Sequence, residues 1–245
     1  MKTLGYVMLH YGMDYLEYAL TPLCEVCDKV IILYSMRPTH NGKDKLVNRE
    51  SREELIEIAD QFPNVEWVDV FGVHGEGQHR NEIYKYTDGY DVLVNADYDE
   101  VWDVDDLRRA VTEVYNSPFR NHGIDGFIHF WRSFTKVLQP DWFRPVRLVH
   151  LREKNTTQEP IIQAKIYHFG YAIKPWKMQY KMSIHGHRGE WDPNWMTTWL
   201  KWQPTVKRGK FHPCSNDVWK ELKQFDRKEL PKIMINHPFY KLIKI

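Results

Sequence analysis

Cysteine is scarce in this chain: Cys24, Cys27 and Cys214 are the three in 245 residues. A small, odd number excludes a disulfide scaffold and points to a reducing compartment. Cys24 and Cys27 are spaced C-x-x-C, but no second Cys or His pair follows at zinc-site spacing. The pair also falls inside an apolar helical pattern, so both are read as structural thiols. Long apolar runs are missing too. No stretch approaches the roughly 18 apolar residues a membrane helix needs, and the N-terminus enters a strand-like run directly, so a cytosolic chain without a transmembrane segment is expected. A charge excess is lacking as well, since 34 Lys and Arg against 33 Asp and Glu leave a formal +1. That balance by itself selects neither nucleic acid nor membrane, and no nucleic-acid partner is expected.

Aromatic residues, by contrast, are abundant at 14%, with ten Trp, which calls for a large core or a surface that stacks on flat partners. Residues 3 to 9 and 30 to 33 read as buried strands, and Leu16, Ala19, Leu20 and Leu23 fall at helical spacing behind Asp14 as N-cap. Ser51 with Glu54 makes a capping box for a helix running to Pro63. A strand over 65 to 70, a helix around 78 to 87 and a strand at 91 to 94 follow. Asp103 or Asp105 then caps a helix through Leu107, Ala110, Val111 and Val114. This strand–helix alternation predicts a parallel sheet covered by helices, an α/β unit of Rossmann type. After Gly123 the segments 126 to 131, 146 to 151 and 161 to 169 read as strands without helices between them. One continuous domain is expected, with an α/β half over 1–115 and a more mixed half over 116–245.

The most informative segment is Asp91-Val92-Leu93-Val94-Asn95-Ala96-Asp97-Tyr98-Asp99-Glu100. A buried strand ends in carboxylates, and in open parallel sheets the ligand crevice lies outside the carboxyl ends of the strands. Between Asp88 and Asp106 there are eight acids and no Lys or Arg. Helix-capping accounts for Asp103, Asp105 and Asp106. Asp97 and Asp99, one residue apart in an extended chain, can approach one hard cation together.

The complementary stretch, Lys165 to Arg188, has five Lys or Arg, three His and no acid. Its strand ends near His168, Gly170 lets backbone approach a ligand closely, and Lys174 can neutralise a phosphate as a point charge. One imidazole with two carboxylates suits Mn²⁺ or Mg²⁺, so Asp97, Asp99 and His168 are the expected metal ligands.

These residues resemble a known signature. His168 with Gly170 and Lys174-Pro175-Trp176 is similar to the H-x-x-G-x-x-K-P-W motif of the retaining glycosyltransferases that include glycogenin and lipopolysaccharide galactosyltransferases, with the Gly one place early. The strand into Asn95-Ala96-Asp97 resembles that family's D-A-D, whereas Asp97-Tyr98-Asp99-Glu100 resembles the D-x-D-E of other transferases of the GT-A fold. The two registers share Asp97; the second supplies two carboxylates and is preferred for the metal. The resemblance implies a mixed, mainly parallel GT-A sheet and transfer of a sugar from a nucleoside-diphosphate sugar, a UDP-sugar first, to a hydroxyl of a glycan or other acceptor. It also implies donor contacts from Asn95, Asp97, Gly170 and Lys174, from Arg80 as the upstream cation, and from His10 and Tyr11 at the nucleobase edge. The first motif leans towards retention; inversion would need a carboxylate base, for which Glu100, Glu190 and Asp192 are the candidates. The competing enzyme reading is a nucleotidyltransferase or metal-dependent phosphohydrolase, disfavoured by the lack of a Gly-rich loop after the first strand. A carbohydrate-binding relative without turnover is the non-enzyme alternative.

Trp191, Asp192 and Pro193 read as the start of a helix that places Trp195, Trp199 and Trp202 on one face. That stripe is either core packing or an acceptor platform, with His185 and His187 beside it.

Overall fold

The computed structural model describes residues 1–38, 48–72, 75–184, 190, 192–214 and 219–245. Expectations placed on His185, His187 and Trp191 fall outside the described residues. The chain forms two compact units. The first comprises residues 1–41, 48–127 and 143–166, and the second residues 42–47, 128–142 and 167–245.

The first unit is the α/β layer structure anticipated from the alternating pattern. Its strands are β1 (Thr3–Leu9), β2 (Lys29–Tyr34), β3 (Val65–Asp69), β4 (Val92–Asp97), the short β5 (Glu100–Trp102), the first part of β6 (Asn121–Trp131), β8 (Val146–His150) and the first part of β9 (Ile161–Tyr171). They lie in the order β6-β8-β4-β1-β2-β3. β1, β2, β3 and β4 are mutually parallel, and β8 is antiparallel to β4 and to β6. Leu4, Val7, Val30, Ile32 and Leu33 are wholly buried, as expected of parallel strands covered on both faces. The helices α1 (Leu16–Val26), α2 (Arg52–Ala59), α3 (Glu76–Asn81) and α4 (Val104–Tyr115) alternate with them. α1 buries Leu16, Ala19, Leu20 and Leu23, and α4 buries Leu107, Ala110, Val111 and Val114.

Capping chemistry sets several boundaries. At α2 Ser51 and Glu54 form the reciprocal box read from the sequence. At α4 the Asp103 carboxylate accepts from the N–H groups of Asp105 and Asp106. Asp14 does not cap α1: the N-cap is Tyr15, and no side chain bonds there. The single helix expected over 78–87 is α3 followed by a 3-10 helix, Glu82–Tyr86. Both thiols of the C-x-x-C pair are free, and burial pushes Cys24 up to about 12 and Cys27 higher still, which suits inert packing groups.

The order of the parallel strands has a functional consequence. The chain lays β1, β2 and β3 outward in one direction, then returns to place β4 on the other side of β1. The reversal makes the β1–β4 boundary the topological switch point, where α/β sheets open a crevice at the carboxyl ends. Pairing aligns Tyr6 with Asn95 and Met8 with Asp97, so the acidic end of β4 arrives at that boundary.

The second unit contains β7 (Lys136–Gln139) and β10 (Glu221–Gln224), an antiparallel pair, with the last residues of β6 and β9. Its helices are α5 (Pro175–Ile184) and α6 (Trp195–Lys201). β5, β7, β10 and α5 were not legible in the sequence. Aromatic packing dominates: Phe130 stacks on Phe169 at 4.7 Å, and Phe134 meets Phe169 at 4.8 Å. Trp195, Trp199 and Trp202 are all buried, so the Trp stripe is core and not an open acceptor platform. α6 also starts later than anticipated. Asn194 is its N-cap, and Asp192 uses its carboxylate to accept from the Asn194 N–H in the preceding turn. Among the described residues no helix is long and apolar enough to cross a membrane.

Candidate functional site

At the switch point the first unit assembles a connected set of charges. Asp97, the last residue of β4, accepts from Arg80 Nη2 at 2.9 Å through one oxygen and from Arg147 Nη2 at 3.0 Å through the other. Arg80 comes from α3 and also donates to Asn95 Oδ1 at 3.0 Å and to Glu76 Oε1. Arg147 comes from β8, the antiparallel neighbour of β4, and holds both oxygens of Glu100 at 2.9 and 2.5 Å. The Asp97 N–H donates to Glu100 Oε2 at 3.2 Å, which closes the ring around Arg147.

Burial divides this chain of charges. Arg147 and Glu100 are almost wholly enclosed, whereas Arg80 and Asp97 keep about a fifth to a quarter of their side chains in solvent. Burial raises Glu100 to about 7, against the opposing pull of the Arg147 guanidinium. Desolvation disfavours charge on both arginines, yet the Asp97 and Glu76 carboxylates outweigh it at Arg80 and those of Glu100 and Asp97 do so at Arg147, so both stay cationic. Burial also lifts the Tyr6 phenol to about 12 although Arg80 beside it pulls the other way. Tyr6 therefore remains neutral.

The loop leaving β1 forms the other lip. His10 Nδ1 lies 2.7 Å from the Ser35 carbonyl, and burial lowers its pKa. Tyr11 packs against Tyr98 with ring centroids 5.0 Å apart. Gly12 passes so close to Tyr98 that a Cβ there would lie 2.6 Å from the ring, which leaves room only for glycine. The Glu50 carboxylate accepts from the N–H groups of Gly12 and Met13, at 2.5 and 3.1 Å.

The structure thus brings Arg80, Asn95 and Asp97 together, with His10 and Tyr11 on the adjoining β1 loop. Asp99 is different. It is buried, and burial first, with the Asp99 charge among the lesser causes, raises the phenols of Tyr15 and Tyr98. Glu100 is committed to Arg147 and does not stand as a free base. Tyr6, Glu50, Glu76 and Arg147 were missed. Arg147 had one available signal, a lone charge inside the apolar strand Val146–His150, but nothing in the sequence ties it to a carboxylate 50 residues earlier.

His168, Gly170, Lys174 and Asp192 belong to the second unit. His168 packs edge-on against His129 at 4.5 Å, and His129 Nδ1 is bonded to the Asp141 carboxylate. A Cβ at Gly170 would lie 2.6 Å from the His168 ring and 2.7 Å from Lys181 Nζ, so within this unit the glycine makes room for these side chains. Lys174 Nζ lies 5.6 Å from the Phe239 ring centroid, and Lys181 donates to the Gly170 carbonyl at 3.3 Å.

A divalent ion needs several oxygen or nitrogen ligands converging on one point. Both Asp97 oxygens face guanidinium groups, as do both of Glu100. Among the described residues no three His, Cys, Asp or Glu side chains are placed to hold one metal ion.

No family model matches the chain, and no curated protein matches it. Among solved structures it is similar to TarS 1–349 of S. aureus, with 11% identity over 75% of this chain and 64% of that one, at a TM-score of 0.42. It is also similar to TarS 1–349 in complex with UDP, with 14% identity over 51% of this chain and 36% of that one, at a TM-score of 0.38. The chain spans less than two thirds of the length of either. At these TM-scores the function has to be argued from the residues themselves.

Proposed function

We propose that the chain is a glycosyltransferase of GT-A type that binds a nucleoside-diphosphate sugar, a UDP-sugar first, and moves the sugar to a hydroxyl acceptor. The observation that carries the proposal is the Arg80–Asp97–Arg147–Glu100 chain of charges at the β1–β4 switch point. The resemblance of the His168 to Trp176 segment to the retaining transferases supports the same reading and leans it towards retention.

Each residue has a distinct task. The buried Arg147–Glu100 pair fixes Asp97. A carboxylate has about four lone-pair sites, and the two guanidinium contacts leave Asp97 capacity to accept hydroxyls of a ribose or sugar. Arg80 is the solvent-facing cation. Its bond to Glu76 runs to a half-exposed carboxylate, so a diphosphate with more charge can compete for those N–H groups. There they stabilise the charge that grows as the nucleoside diphosphate leaves. His10 and Tyr11 offer an imidazole and a phenol ring beside this point for a nucleobase.

The test is a panel of nucleotide sugars, each assayed with Mn²⁺ and with a chelator, scored by nucleoside diphosphate release. Asp97→Asn and Arg80→Ala are expected to lower turnover by about 10²-fold, with melting temperatures close to wild type for Arg80→Ala. If no donor binds or is turned over in either condition, the transferase reading fails. Loss of release in the chelator would restore the metal; unchanged release would leave the charge to Arg80. The anomeric proton of the product reports retention or inversion.

A further inference from the structure

The near-neutral whole chain hides two units of opposite charge. The first carries 25 Asp and Glu against 15 Lys and Arg, a formal −10, and the second carries 19 Lys and Arg against 8 Asp and Glu, a formal +11. Within the second unit the excess becomes pure near its end. After Glu229 no acid occurs, whereas Lys232, Lys241 and Lys244 do.

The same stretch exposes aliphatic side chains. The 3-10 helix Lys232–Asn236 presents Ile235, 54% exposed, and the turns after it present Leu242 at 41% and Ile243 at 71%. Its inner side is anchored: Leu230, Met234 and Phe239 are buried, and the Arg227 guanidinium lies over Tyr240. Successive backbone bonds, His237 to Met234, Tyr240 to His237 and Leu242 to Phe239, hold the turns in place. Exposed Ile and Leu interleaved with Lys, on a hydrogen-bonded scaffold in a strongly cationic unit, is the composition of an interfacial membrane-binding surface.

We propose that residues 230–245 dock this unit onto an anionic lipid bilayer. The lysines are drawn to the negative surface potential of the headgroups. Ile235, Leu242 and Ile243 enter the boundary between headgroups and acyl chains, where burial of apolar surface adds to the attraction. A soluble polyanion would use the lysines but would gain nothing from the aliphatic side chains, and that difference selects the bilayer.

The experiment is co-sedimentation of the full chain with vesicles of phosphatidylcholine alone and of phosphatidylcholine with phosphatidylglycerol, beside binding to heparin as a soluble polyanion. Binding is expected only to the vesicles containing phosphatidylglycerol and is released by salt, because screening shortens the Debye length from about 10 Å at 0.1 M to about 3 Å at 1 M. Lys232→Glu and Lys241→Glu should each weaken vesicle binding by about fivefold or more. Ile243→Ser, which removes apolar surface without adding charge, should weaken vesicle binding by about tenfold and leave heparin binding unchanged. These sites are exposed, so thermal melting should be unaltered. No binding to the anionic vesicles, equal binding to both vesicle types, or no response to Ile243→Ser would each overturn the proposal. None of these outcomes depends on sugar transfer.

Discussion

His79 is a buried imidazole on α3 whose Nε2–H donates to the Leu33 carbonyl at 2.9 Å. Burial holds its pKa down at about 4, against an ordinary value of 6.5. A group depressed in the folded state stabilises the fold fully above its unfolded pKa and loses that contribution as pH falls. Between about pH 6.5 and 4 His79 therefore destabilises the fold progressively, by at most about 3 kcal/mol. Glu100 acts in the opposite sense: raised to about 7, it favours the fold at low pH and loses that contribution as pH rises through 7. The two overlap, so the informative quantity is a difference. His79→Gln, measured by thermal melting from pH 4 to 7.5, should lose less stability on acidification than wild type does. A melting curve that shifts equally in both proteins across that window would show that His79 does not titrate in this way.

At the scale of elements, Gly126 joins β6 to β9. It has φ of +130°, and an added Cβ would lie 2.4 Å from the Ala164 carbonyl oxygen on β9. Backbone cannot give way as a flexible side chain can. Gly126→Ala is therefore expected to cost more than about 2 kcal/mol, or about 5 °C or more in melting temperature. A variant within a degree of wild type would mean that β6 shifts at no cost. Elements were legible where one local rule acts alone. Uniform apolar runs gave β1, β2 and β4, and the Ser51–Glu54 and Asp103 caps gave the starts of α2 and α4. β5, β7 and β10 are short, of three or four residues, and carry too little periodicity to be read. The Trp stripe had the spacing of a helix, but only packing decided that it faces inward.

For the whole molecule, the separation of charge between the units predicts an unusual chromatographic behaviour. A chain of formal charge +1 with evenly mixed signs would bind weakly to ion exchangers of either type. With −10 on one unit and +11 on the other, retention at low salt on both anion and cation exchangers is expected at pH 7. Elution should come at moderate salt, since screening removes exposed charge interactions. Passage through both columns in the flow-through would contradict the segregation.

What the sequence by itself determined was the α/β class and the acidic terminus of β4, because each follows from local order: periodicity, capping or spacing along a few dozen residues. The tertiary structure alone decided what Asp97 meets. Arg147 reaches it from an antiparallel strand 50 residues away, and Asp99, two residues on, is buried where Asp97 stays partly in solvent. Strand order decided this, since placing β4 between β1 and β8 sets a guanidinium against one side of the carboxylate while α3 supplies the other. A buried carboxylate must find its counter-charge wherever the fold provides one, and no spacing rule in the chain records where that is.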